Sequence, residues 1–157
     1  MNQAKLLNPF FTSIFDVLEE TSGEKAQRGK LLLQKEAQFA SLGFQVILTL
    51  DGQIKGHVIL DMSKEVAIKF AEIMNMEEIG EFNEMVKSSI KEIGDSLAQK
   101  AIQKLAETQL KFDVKPTELL ESPLVKISEI ESLSVISAPL ELPFGQIVIN
   151  LALCEAK

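Results

Sequence analysis

Residues 88–95 read Ser88-Ser89-Ile90-Lys91-Glu92-Ile93-Gly94-Asp95. They lie in a stretch whose spacing predicts a helix starting near Glu78 or Glu81 and running to Glu107. At about 3.6 residues per turn, Ser88, Glu92, Asp95 and Gln99 fall within one narrow arc. Val86, Ile90, Ile93, Leu97, Ala101 and Leu105 form a continuous apolar stripe on the other side. Such a helix buries one face and offers solvent a row of hydrogen-bonding groups that includes two carboxylates. Taken alone, that row is most simply a solvated helix face, and Lys87 and Lys91 would make only weak surface pairs with its acids. Glu92 has Ser88 and Ser96 one turn away on either side, so it lacks an ion-pair partner at helical spacing.

Working outward, Ser63 caps a short helix with Glu65 in its first turn and Val66, Phe70 and Ile73 as its buried face. Before it, Phe44, Val46, Leu48 and Leu50 alternate with Gln45, Ile47, Thr49 and Asp51. Asp51-Gly52 is a tight-turn signal, and Ile54, Val58, Leu60 and Met62 continue the alternation on the return strand. A further strand is expected near Ala37–Leu42, and the polar run Glu24–Lys30 is expected to be a solvated loop. The chain opens with a helix through about Glu20, carrying Leu7, Phe10, Phe11, Ile14, Phe15 and Leu18. Asn8-Pro9 suggests that this helix starts or bends there. After the long helix, strands are expected at Lys111–Lys115, Leu133–Leu142 and Gln146–Leu153, with a turn at Pro143-Phe144-Gly145. This order indicates a single α+β domain over residues 1–157, a mostly antiparallel sheet with long helices packed on one face. Gly52-Gln53-Ile54 and Gly145-Gln146-Ile147 give a faint internal repeat.

The composition excludes several classes of function. A single cysteine, Cys154, rules out an internal disulfide, and with His57 as the sole histidine there is no His-cluster or multi-thiolate metal site. His57 shares a strand face with Lys55, Ile59 and Asp61, where a surface histidine is expected rather than a general base. A net charge of −7 argues against nucleic acid as a partner, because phosphate contacts need clustered Lys and Arg. No apolar run is long enough to span a membrane, and the start of the chain lacks signal-peptide features, so a cytoplasmic location is expected.

The segment Ser88–Asp95, with the element order and length around it, resembles the CheC/CheX chemotaxis phosphatases. Their helix carries an acid or Ser, three residues, Glu, two residues, then Asn. The first helix offers Ser13, Val17 and Glu20 where a second motif copy would stand, so the chain resembles the single-site CheX type. The resemblance implies a CheC-like fold and dephosphorylation of an aspartyl phosphate on a CheY-like receiver domain. Glu92 would pair with a receiver lysine, the last motif residue would orient the attacking water, and Ser88 and Gln99 would contribute to binding. The magnesium would belong to the receiver, with no cofactor held by this chain. Homodimerisation by joined sheet edges is also implied, with the charge-poor strand Ile147–Leu153 as the candidate edge.

At the last motif position this chain has Asp95 in place of Asn. An amide both accepts and donates hydrogen bonds, whereas a carboxylate only accepts and carries negative charge toward a phosphoryl group. Asp95 can be a weaker water-positioner, a general base or a group protonated in the complex. The alternatives are a receiver-binding module that has lost catalysis and a structural protein akin to the flagellar switch, since related folds serve that role.

Overall fold

A computed structural model describes residues 3–127 and 135–156. The first helix, α1 (Gln3–Ser22), is followed by three short strands, β1 (Gln27–Arg28), β2 (Leu32–Gln34) and β3 (Gln38–Ala40). The hairpin β4 (Phe44–Gly52) and β5 (Ile54–Met62) leads into α2 (Lys64–Asn75) and α3 (Glu84–Leu105). Then come β6 (Phe112–Val114), β7 (Glu118–Glu121), β8 (Leu124–Lys126), and a second hairpin, β9 (Val135–Leu142) and β10 (Gly145–Glu155). Of the expected strand Leu133–Leu142, the first two residues lie outside the described residues.

The main sheet runs β1-β9-β10-β5-β4-β6, with β2 also on β9 and β7 also on β4, and every pairing is antiparallel. The helices cover one face. Phe10, Ile14 and Leu18 of α1, Phe70 of α2, and Ile90, Ile93 and Leu97 of α3 pack on Val46, Leu48, Val58, Leu60, Ile147, Ile149 and Leu151. The apolar stripe expected on the long helix is buried throughout. The other face is not simply solvated. A two-stranded β3–β8 sheet covers part of it, with Val125 and Ile127 packed among Ile59, Val135, Ala152, Phe39 and Ile47. There Asp61, only 3% exposed, accepts hydrogen bonds from Ser41 Oγ at 2.7 Å and the Leu42 backbone N–H at 2.9 Å. Burial raises its pKa despite these bonds. His57 is half-buried with its Nδ1 3.0 Å from Thr49 Oγ1.

The faint repeat marks a real duplication. Each half is a long helix, three short strands and a hairpin, and the halves interlock: β5 pairs β10, β3 pairs β8, and the short strands of each half extend the hairpin of the other. Gly52 and Gly145 hold equivalent turns at φ 122° and 145°, a region that favours glycine. At Gly56 the central strands close so tightly that a Cβ would lie 1.9 Å from the Ala152 carbonyl oxygen.

Several expectations are corrected. The final strand is not an edge: β10 lies between β9 and β5, and its charge-poor run reflects burial on both faces. The first helix runs through Asn8-Pro9 without starting there, anchored by buried Leu6 and Leu7 one turn earlier. Part of Glu24–Lys30 is β1 rather than loop. Ile73 is 39% exposed, and Ala67 and Ala71 complete the buried face of α2 instead. The long helix begins after Asn83, whose Oδ1 accepts the Val86 N–H at 3.1 Å, and not at Glu78 or Glu81.

Candidate functional site on the exposed face of the third helix

The outward row of α3 is where the spacing placed it. Ser88, Glu92 and Gln99 are exposed and Asp95 is half-exposed. Glu92 makes no hydrogen bond or ion pair with another described residue. The helix under it is held at both ends and along its length. Asn83 caps the start, Asn75 Nδ2 reaches from α2 to the buried Ser89 Oγ at 2.8 Å, and the apolar stripe sits on the sheet. Near the C-terminal end, Lys100 pairs with Glu20 at 3.0 Å and Lys104 with Asp16 at 3.0 Å, joining α3 to α1.

Gly94 explains the local approach of α3 to the sheet. A Cβ on it would lie 2.6 Å from Val46 Cγ1 and 2.8 Å from Thr117 Cγ2, so only glycine allows this packing without displacement. That proximity brings Thr117, in the loop between β6 and β7, onto the next residue of the motif. Thr117 Oγ1 donates to Asp95 Oδ1 at 2.5 Å, and Lys91 Nζ lies 3.5 Å from Asp95 Oδ2. The Asp95 carboxylate therefore has a neutral donor on one oxygen and a cation near the other. Nothing in the sequence pointed to Thr117. It lies 22 positions from Asp95, with the β6–β4 pairing between them and the β7–β4 pairing just after it. Lys91 was visible as a weak surface pair, and that is how it sits.

A charged cluster closes the N-terminal flank of the row. Lys87 pairs with Glu84 at 3.4 Å and with Glu121 of β7 at 3.4 Å, and Lys64 pairs with Glu121 at 2.9 Å. The hydrogen bond to Glu121 raises the Lys87 pKa, and the one from Lys64 lowers that of Glu121. Both lysines also approach the face of Phe82, which stands edge-on to Phe44. Lys87 is thus committed to its neighbours, and Glu92 is the acid of the row left to meet a cation from outside. The row lines none of the described clefts. The one of about 400 Å³, for example, lies along Lys69, Glu72 and Ile73 of α2. The arrangement is a projecting ridge, suited to entering a partner's site rather than enclosing a small molecule. Among the described residues no cluster of His, Cys, Asp and Glu is placed to hold a metal ion, and no helix is long and apolar enough to cross a membrane.

A family model described as chemotaxis phosphatase CheX matches residues 44–141. No curated protein matches the sequence. Among solved structures, CheX from Vibrio vulnificus is similar with a TM-score of 0.83 at 21% identity, covering 96% of this chain and 100% of that one. A chain of the CheX-CheY-BeF3-Mg complex from Borrelia burgdorferi is similar with a TM-score of 0.79 at 25% identity, covering 96% of this chain and 98% of that one. FliY from Thermotoga maritima shares the fold at a TM-score of 0.68 and 13% identity, covering 97% of this chain and 91% of that one. The family match includes the second-half hairpin strand, the helix with Glu92 and Asp95, and the strand that Gly94 packs against, and it spans more than half of the sequence. The chain belongs to the CheX family.

Proposed function

We propose that this protein dephosphorylates the aspartyl phosphate of a CheY-like receiver domain. The observation that carries the reading is the pairing of an unengaged, exposed Glu92 with an oriented Asp95 one turn on, both on a helix face that projects from the sheet. The Borrelia relative, crystallised with CheY, BeF3 and Mg, supports a receiver as the partner. In this reading the ridge enters the receiver's acyl-phosphate site. Glu92 pairs with a receiver lysine and sets the register, while Ser88 and Gln99 make flanking polar contacts. Asp95 holds a water in line with phosphorus. The water oxygen forms the new P–O bond as the bond to the receiver aspartate breaks, giving inorganic phosphate and a free carboxylate. Alignment supplies the acceleration, and the receiver supplies magnesium and its lysine.

A specific observation favours a second reading, a receiver-binding module without catalysis. The Asp95 oxygens already have partners in Thr117 and Lys91, as a purely structural carboxylate would. Decay of a phosphorylated receiver from the same genome, with and without this protein, separates the two. Acceleration that vanishes in Glu92→Ala supports the phosphatase, and tight binding without acceleration supports the module. A cytoplasmic protein is part of this reading, as is a homodimer. With β10 inside the sheet, such a dimer would use the β1–β2 side, where Leu32 and Leu33 are 55% and 52% exposed, or the β6–β7 side.

A further inference from the structure

We propose that Thr117 is a positioning residue for this reaction: its hydroxyl fixes the Asp95 carboxylate at the angle from which the second oxygen addresses the attacking water. The inference rests on the phosphatase reading and names a residue that the motif does not contain. Three observations carry it. First, the hydroxyl meets Asp95 Oδ1 at 2.5 Å, a short, charge-assisted contact. Second, Thr117 has little freedom of its own. On one side Val114 pairs with Leu50 and the Lys115 N–H bonds to the Thr49 carbonyl at 2.9 Å, and on the other Glu118 pairs with Ile47. Pro116 stiffens the residue between. Third, the Thr117 methyl faces Gly94, reaching to 2.8 Å from where a Cβ would stand, so the branched side chain is wedged with its methyl on the helix and its hydroxyl on the carboxylate.

The two oxygens of Asp95 are thereby made unequal. Oδ1 is held by a rigid neutral donor. Oδ2 faces Lys91 at 3.5 Å, a loose contact between side chains 49% and 48% exposed. Oδ2 is therefore the oxygen available to a water when a partner docks. An aspartate on an exposed helix face without such a hold would sample several rotamers, and only one of them would place the water in line. Removing the hold dilutes the reactive geometry without removing any group that touches the receiver.

The test uses Thr117→Val, which keeps the branched shape and the methyl on Gly94 but lacks the hydroxyl, and Thr117→Ser, which keeps the hydroxyl. Three quantities are read on the full chain: decay of the phosphorylated receiver, Kd for the beryllofluoride-loaded receiver, and the three-bond couplings from the Asp95 backbone nitrogen and carbonyl carbon to its carboxyl carbon. Thr117→Val should slow the accelerated decay about tenfold with Kd changed by about twofold or less, the pattern of lost alignment rather than lost binding. Its couplings should change from one rotamer to an average, and Thr117→Ser, which keeps the donor but loses the methyl wedge, should fall between wild type and Thr117→Val in decay and in couplings. Wild-type decay or a single Asp95 rotamer in Thr117→Val would overturn the inference, as would a serine variant that fails like the valine one. If the wild-type protein does not accelerate decay at all, the phosphatase reading falls, and the couplings alone decide whether Thr117 holds Asp95.

Discussion

Replacing Gly94 with Ala should destabilise this protein, against the ordinary sign of that change in a helix. In a helix interior, Gly→Ala gains about 1 kcal/mol from propensity and reduced unfolded-state freedom. Here the new Cβ would stand 2.6 Å from Val46 Cγ1 and 2.8 Å from Thr117 Cγ2, where ordinary contacts begin at 3.4 Å. Both neighbours are β-branched and stiff at χ1, and Val46 is fully buried, so neither can turn aside. Overpacking of this kind costs about 1–3 kcal/mol, which cancels the propensity gain at the low end and leaves a net loss of up to roughly 2 kcal/mol at the high end, where two stiff neighbours well inside contact distance place this site. For a chain of this size that is a fall in Tm of up to about 6 °C. Urea unfolding followed by circular dichroism reads it directly. Because the Thr117 methyl is one of the two atoms struck, relief of the clash should also pull the hydroxyl off Asp95, and receiver decay should slow together with the loss of stability. A higher urea midpoint in Gly94→Ala would refute the packing account of this helix.

Glu72 gives a pH prediction whose sign is fixed. The Ile79 and Gly80 backbone N–H groups donate to its carboxylate at 2.8 and 3.2 Å and lower its pKa below the ordinary 4.5. Its contribution is present above pH 4.5 and is lost as pH falls through the lower folded value, so the urea midpoints of wild type and Glu72→Gln should converge in acid; a gap that widens below pH 4.5 would contradict it. Lys91→Met removes the cation beside Asp95. As an exposed pair it should cost about 0.5 kcal/mol of stability or less, yet slow receiver decay about threefold, because the lower dielectric of a docked interface makes the nearby cation offset more of the Asp95 charge facing the phosphoryl group. The same change made together with Asp95→Asn should have little effect on decay, and an equal loss in both backgrounds would count against charge compensation.

Much of the fold was legible because its signals are local. Nine-residue strands such as Phe44–Gly52 and Ile54–Met62 are long enough for alternation to show, and the Asp51-Gly52 turn and the Ser63 cap carry their own chemistry. The 22-residue α3 gives its stripe and its polar row enough turns to be unmistakable. Strands of two to four residues, such as β1, β2, β7 and β8, are too short for a period to register. Strand order is invisible to periodicity. The same apolar run in β10 fits a bare edge or a doubly covered centre, and pairing on both sides decides for the centre. Asn8-Pro9 misled because a local stop signal was outweighed by burial of Leu6 and Leu7 ahead of it. Spacing placed Ser88, Glu92, Asp95 and Gln99 together on the outward face of α3, where the structure has them. Thr117 was not, because its place beside Asp95 depends on the register of β6 and β7 on β4 and on the missing side chain of Gly94.

The most direct measurement compares decay of one phosphorylated CheY-like receiver in the presence of the wild-type protein, Asp95→Ala and Asp95→Asn, at concentrations that saturate binding. If Asp95 positions the attacking water at an electrostatic disadvantage, the wild type accelerates decay, Asp95→Ala abolishes the acceleration, and Asp95→Asn increases it. Equal decay with all three proteins would contradict the account and leave the ridge of α3 a receiver-binding surface without catalysis.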